Sequence, residues 1–222
     1  MTFREWVGWQ GWADFIAAWV QLNIGFLTVC FGMTLMIKAH LGMGSWSVFQ
    51  LGLCKQLGIS FGISLQLVGA FLLIISYLIG RIVASAGTFA NMLLIGIYVD
   101  YIFDPYIPDF EGFWLQLAVC LGGIVLFGIG SALYLSADLG PGPRDSIMMA
   151  LYVRTRRSLR RIRTIIELSV LFLGWLLGGP VGIGTVLFSL LIGPIIQLVL
   201  QLLPYLPIRL DRGQILLEHD HI

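Results

Sequence analysis

Arg144 and Asp145 are adjacent charges at the close of a glycine- and proline-rich turn, Leu139-Gly140-Pro141-Gly142-Pro143-Arg144-Asp145. The chemistry such a pair could do is anion contact. A helix start offers unpaired backbone N–H groups and the positive end of the helix dipole. A guanidinium adds a planar, bidentate clamp. The same two residues would also serve as a structural Arg–Asp pair, or as a helix cap at Asp145 with Arg144 reaching toward lipid headgroups. The turn has a degenerate twin upstream, Leu41-Gly42-Met43-Gly44-Ser45-Trp46-Ser47. Gly42, Gly44 and Trp46 there, with Gly140 and Gly142 in the second copy, complete the candidate substrate-binding set. Trp46 takes the place of Arg144 in the first copy, as a gate or as an interfacial anchor.

Glu167 is the remaining candidate. A carboxylate inside an apolar helix is costly and faces a partner or a cavity, so it would couple a proton or cation, or pair with Arg163 one turn earlier. Asp100, Asn91 and Gln66 carry the same ambiguity more weakly. His40, His219 and His221 are dispersed, and Cys30, Cys54 and Cys120 form no CxxC pair, so no metal site and no cofactor are expected. There is no nucleophile elbow, zincin motif or phosphate loop; Gly140-Pro141-Gly142 lacks the Lys and the spacing of the last. Catalytic residues are therefore not expected, and the chain is not read as an enzyme.

These residues must be positioned by helices in lipid. Hydrophobic residues make up 58% of the 222 and charged residues 11%, against roughly 25% charged in soluble domains. Apolar runs at about 15–37, 61–80, 88–104, 113–137, 162–178 and 184–203 reach the length of about 20 residues that a bilayer core requires. Each turn breaks the helical pattern, because Pro lacks an N–H and Gly costs backbone entropy. Each leads into a short helix, about 47–57 and about 146–156, with Ser47 and Asp145 expected as N-caps and Ser47 with Gln50 as a capping box. Trp6, Trp9 and Trp12 mark an interfacial start, and the first residues carry no pattern of a cleaved signal peptide. The tail 204–222 is polar.

The halves repeat. Ala39, Leu41, Gly42, Gly44 and Leu53 match Ala137, Leu139, Gly140, Gly142 and Leu151 at an offset of 98, and Gly87-Thr88 and Leu93-Leu94-Ile95-Gly96 match Gly184-Thr185 and Leu190-Leu191-Ile192-Gly193 at 97. The loop 105–112 has no Lys or Arg, whereas 144–163 has seven arginines, so the first is expected outside and the second in the cytoplasm. Full crossing by the two short helices would place the basic cluster and the acidic loop on one side, so they are expected to enter without crossing. The expected fold is thus an all-α integral membrane protein, with six transmembrane helices plus two short half-helices and both termini cytoplasmic. Repeat one, about 15–104, and repeat two, about 113–203, each hold three spans and so have inverted topology, an architecture of secondary transporters.

At Ala137-Asp138-Leu139-Gly140-Pro141-Gly142-Pro143-Arg144-Asp145, at Gly178-Gly179-Pro180-Val181-Gly182-Ile183-Gly184-Thr185 and at Leu191-Ile192-Gly193-Pro194, the chain resembles the YczE/YitT group of bacterial membrane proteins. The resemblance runs over about 25–200 and fits the YczE branch, with no extra soluble domain after the sixth span. In the first turn the Pro-Trp pair associated with the group reads Ser45-Trp46, which enforces the turn less but keeps the aromatic. The resemblance implies a polytopic membrane protein and supplies neither a substrate nor catalytic residues.

The function expected from this architecture is a transporter or permease of a small solute, with its site at the repeat interface, in a bacterial cytoplasmic (inner) membrane. The alternative is a non-transporting membrane factor that assists a partner enzyme or assembly. The expected partners are the bilayer, a small-molecule substrate, and anionic headgroups at Arg154, Arg156, Arg157, Arg160 and Arg161. Nucleic acid is not among them.

Overall fold

The computed structural model describes residues 12–203. The expectations for Trp6, Trp9, His219, His221 and the polar tail 204–222 lie outside the described residues. Those residues form eight α-helices and no strand: α1 (Trp12–Ala39), α2 (Ser45–Leu57), α3 (Phe61–Gly80), α4 (Ala86–Ile97), α5 (Phe113–Ser136), α6 (Pro143–Thr155), α7 (Leu159–Leu176) and α8 (Ile183–Leu202). α4 continues as a π-helical stretch, Tyr98–Phe103.

Among the described residues, five segments are long and apolar enough to cross a membrane: Asp14–Ala39, Phe61–Gly80, Ala86–Phe103, Phe113–Ser136 and Ile183–Leu202. Their outward faces expose Phe71, Leu78, Trp114 and Leu190, an apolar surface that only lipid or a partner covers. The fifth expected span, about 162–178, is helical as α7. It falls short of the other five because Arg160, Arg161, Arg163 and Glu167 charge its first half. α2 and α6 have 13 residues each. At about 1.5 Å per residue, neither matches a hydrocarbon core about 30 Å thick.

α1 and α5 form the central pair, and glycine brings them together. A Cβ on Gly32 would lie 2.5 Å from the Gly123 carbonyl oxygen, and one on Gly130 would lie 2.6 Å from that of Gly25. Gly25 and Gly32 recur as Gly123 and Gly130 at the offset of 98. Each pairs with the other's counterpart, so the contact reads the same from either helix. Around this seam Phe26, Cys30, Met33, Cys120 and Ile124 are buried.

The short helices dock across the halves: α2 packs on α7 and α6 packs on α3. Gly174 admits the backbone of Phe49, with a hypothetical Cβ at 2.6 Å, and Gly80 admits Ala150 at the same distance. Both short helices begin earlier than the sequence suggests. Their N-caps are Gly44 and Gly142 in extended backbone, not Ser47 and Asp145. Pro143 occupies the first helical position, where a missing N–H costs nothing, and this pulls the start of α6 forward. Ser47 and Gln50 form no capping box. The capping boxes lie instead at the starts of α4 and α8, where Thr88 accepts from the Ser85 N–H at 3.2 Å and Thr185 from the Gly182 N–H at 3.3 Å.

Candidate functional site

Both glycine-rich turns use one backbone path. His40 and Asp138 are left-handed, at φ 55° and 51°, and Gly42 and Gly140 follow at 95° and 116°. A left-handed non-glycine residue is uncommon, so its recurrence at equivalent positions marks a shared turn. Each turn then docks on the other half of the chain. The Leu41 carbonyl accepts from the Gly184 N–H at 2.8 Å, at the start of α8. The Leu139 carbonyl accepts from the Gly87 N–H at 3.2 Å and from Ser85 Oγ at 2.7 Å, at the start of α4. Thr88 Oγ1 adds a 2.6 Å bond to the Pro141 carbonyl. The Gly-Thr pairs that repeat in the sequence are thus the receptors for the opposite turns.

This docking assigns three of the four candidate glycines to packing. A Cβ on Gly42 would stand 2.6 Å from Thr185 Oγ1, and one on Gly44 would stand 2.5 Å from the Phe188 ring. A Cβ on Gly140 would overlap Ser85 Oγ. None of the three reaches the cavity described next; Gly142 does.

A cavity of about 70 Å³ lies where the starts of α2 and α6 meet between the middles of α1, α3, α4 and α5. Its polar lining is Gln50, Asn91, Tyr134, Arg144 and Asp145, and its apolar walls include Val29, Met33, Val68 and Phe127. Arg144 joins the two short helices. Its Nη2 donates to Gln50 Oε1 at 3.3 Å, and its Cζ stands 5.4 Å from the centre of the Trp46 ring, a cation–π contact. Trp46 is only 7% exposed, so it is a buried platform for Arg144 and not an interfacial anchor.

Arg144 and Asp145 do not form the expected structural pair. Among the described residues, no carboxylate oxygen lies within 4.0 Å of the Arg144 guanidinium. Asp145 instead turns back toward the Gly142 N–H, half of a capping box made from the third helical position. Glu167 and Arg163 likewise form no ion pair within 4.0 Å. Glu167 faces Arg144 electrostatically, and Arg163 faces Asp145. Two cations and two carboxylates therefore share this region, and among the described residues the guanidinium has one hydrogen bond, from Nη2 to Gln50, for its five N–H donors.

The weaker candidates separate cleanly. Asp100 is structural: it accepts from Ser60 Oγ, and from the Gly62 N–H at 2.8 Å, at the start of α3. Gln66 donates to the Leu93 carbonyl at 3.2 Å. Asn91 belongs to the cavity. Gln50 and Tyr134 are site residues that sequence reasoning missed. A signal for Gln50 was present, since it follows Trp46 by four positions and shares its helix face. Among the described residues no group of His, Cys, Asp or Glu could hold a metal ion.

The acidic loop is tied to the end of α1. Lys38 Nζ stands 3.1 Å from Asp104, His40 Nε2 2.8 Å from Asp109, and the Phe110 N–H donates to the Lys38 carbonyl at 3.2 Å. Arg154, Arg156, Arg157, Arg160 and Arg161 are all exposed.

Residues 16–201 match a family of unknown function, DUF6198. The chain is 33% identical to the uncharacterized membrane protein YczE of Bacillus subtilis over 185 residues, covering 83% of this chain and 86% of that one. It is 34% identical to an uncharacterized protein of Haemophilus influenzae over 176 residues, 79% of this chain and 80% of the relative. It is 28% identical to the uncharacterized protein YyaS of Bacillus subtilis over 171 residues, 76% and 85%. No solved structure matches. The chain belongs to the DUF6198 family and is a YczE-like membrane protein.

Proposed function

We propose that this YczE-like protein is a transporter of a small solute in the bacterial cytoplasmic (inner) membrane, with the cavity between the two half-helices as its binding site. The observation that carries the reading is the convergence of Gln50 from α2 with Arg144 and Asp145 from α6 on one cavity in the middle of the bundle. Broken helices whose positive N-terminal ends meet inside a membrane suit a solute site. Irregular backbone at that depth is tolerated where protein or water covers it. In this reading α7 also crosses, as the fifth of six spans, and the chain is two inverted repeats of three spans. The reciprocal docking of the turns, of α2 on α7 and of α6 on α3 supports that symmetry. The termini are cytoplasmic, α2 opens toward the outside, and α6 opens toward the basic cluster, whose exposed arginines meet anionic headgroups. No catalytic role is assigned.

The test is solute flux in proteoliposomes containing only this chain. The expected result is saturable flux of a small solute above that of protein-free liposomes. Absence of flux for every small solute tried, together with a protein partner that co-purifies in fixed stoichiometry, would replace transport with the assisting role.

A further inference from the structure

We propose that the cavity binds one small planar monoanion of the carboxylate or nitrate class, with Arg144 as anchor and Asp145 as the group that turns dianions away. The inference rests on the reading of this cavity as the solute site, and it adds the substrate class.

Size is the first constraint. A cavity of about 150 Å³ admits benzene, so the 70 Å³ here suits an anion of about three or four heavy atoms, such as formate, nitrate or acetate. Shape is the second. The donors that Arg144 leaves free lie in a planar fork, which matches a carboxylate or nitrate edge. Gln50 and Trp46 hold the fork from one side through the 3.3 Å bond and the ring contact.

Charge is the third constraint. Among the described residues that line the cavity, Arg144 is the cation and Asp145 the carboxylate, so the single guanidinium fork suits a single negative charge. A second charge would meet Asp145. The position a Gly142 Cβ would take lies 3.6 Å from Asp145 Oδ2 and 3.5 Å from Asn91 Oδ1. Two oxygens therefore stand beside Gly142 in the cavity lining. They accept from a bound solute that carries a hydrogen and repel one that carries more negative charge. A cation would find Asp145 but also the guanidinium in the same small volume. The remaining wall of Val29, Met33, Val68 and Phe127 tolerates a methyl group and disfavours a hydrated ion.

The experiment is calorimetric titration of the purified full-length chain in detergent with sodium formate, nitrate and acetate, against sodium sulfate and phosphate at matched ionic strength. The expected result is saturable binding of the monoanions and at least tenfold weaker binding of sulfate. Arg144→Gln should weaken formate at least tenfold, whereas Arg157→Ala, outside the cavity, should leave it unchanged. Asp145→Asn should gain sulfate binding, an outcome that a misfolded variant cannot imitate. The proposal is overturned if sulfate binds the native chain as tightly as formate, if Arg144→Gln binds formate normally, or if none of the monoanions binds. Anion binding without flux would keep this site and remove transport; flux of another solute without anion binding would do the reverse.

Discussion

Arg144→Ala abolishes solute flux while expression and membrane insertion stay near the native level. Arg144 supplies a cation to the cavity and ties α6 to α2, through Gln50 at 3.3 Å and Trp46 at 5.4 Å. A hydrogen bond to a charged group contributes about 1.5–3 kcal/mol. Losing even one at the anchor weakens occupancy by about tenfold or more, since about 1.4 kcal/mol is a factor of ten. Arg144→Lys recovers little, because an ammonium is a point charge that neither forks nor stacks on Trp46 as a guanidinium does. Arg157→Ala is mild, as its side chain is exposed beyond the end of α6. The measurement is flux in proteoliposomes at matched protein content. Full flux in Arg144→Ala would place the site elsewhere. A variant that is inserted poorly and degraded would make the residue structural instead.

Gly123→Ala sharply lowers the yield of folded protein, while Gly122→Ala, one residue away on the same helix, does not. A Cβ at position 123 would lie 2.7 Å from the Gly32 carbonyl oxygen, whereas one at position 122 meets nothing within 4 Å. The first forces the backbones of α1 and α5 apart along their whole seam, and overpacking of this kind costs about 1–3 kcal/mol. The second adds a methyl in open space and removes a flexible residue from a helix interior, a gain of up to about 1 kcal/mol. The fraction of monodisperse protein in detergent, followed through a heating series, separates the two variants. Equal behaviour would mean that the glycine seam does not hold the central pair together.

Much of the fold was legible because lipid leaves few choices for the backbone. Long apolar runs gave the helices, and the density of Gly and Pro at Gly42, Gly44, Gly140, Gly142 and Pro143 gave the two breaks. The repeat was visible in the same residues, and the Gly-Thr pairs were visible as matches before their role as docking sites was. The starts of α2 and α6 were misplaced because Ser and Asp are strong caps in general, while here Gly44 and Gly142 adopt the extended cap conformation and Pro143 starts the helix. The α1–α5 seam was missed although Gly25 and Gly32 recur at the repeat offset, since glycine in an apolar helix does not announce which neighbour comes close. Within the site, Arg144 and Asp145 stood out by charge. Gln50, Asn91 and Tyr134 did not, because only the packing of α2, α4 and α5 around the start of α6 brings them to one cavity. Gly42, Gly44 and Gly140 were drawn into the site by motif, and the docking contacts return them to the scaffold.

The central claim is that one cavity is reached in turn from both sides of the membrane. Its most direct measurement is thiol labelling of Asn91→Cys in a background with Cys30, Cys54 and Cys120 replaced by alanine. A membrane-impermeant reagent is applied first to intact cells and then to inside-out vesicles. Asp109→Cys and Ser158→Cys, made separately, report the outer and cytoplasmic faces. The account predicts labelling of Asp109→Cys only from outside, of Ser158→Cys only from the cytoplasm, and of Asn91→Cys from both, slowed by a bound solute in each case. Labelling of Asn91→Cys from one side alone, or exchange of the two surface reporters, would contradict it.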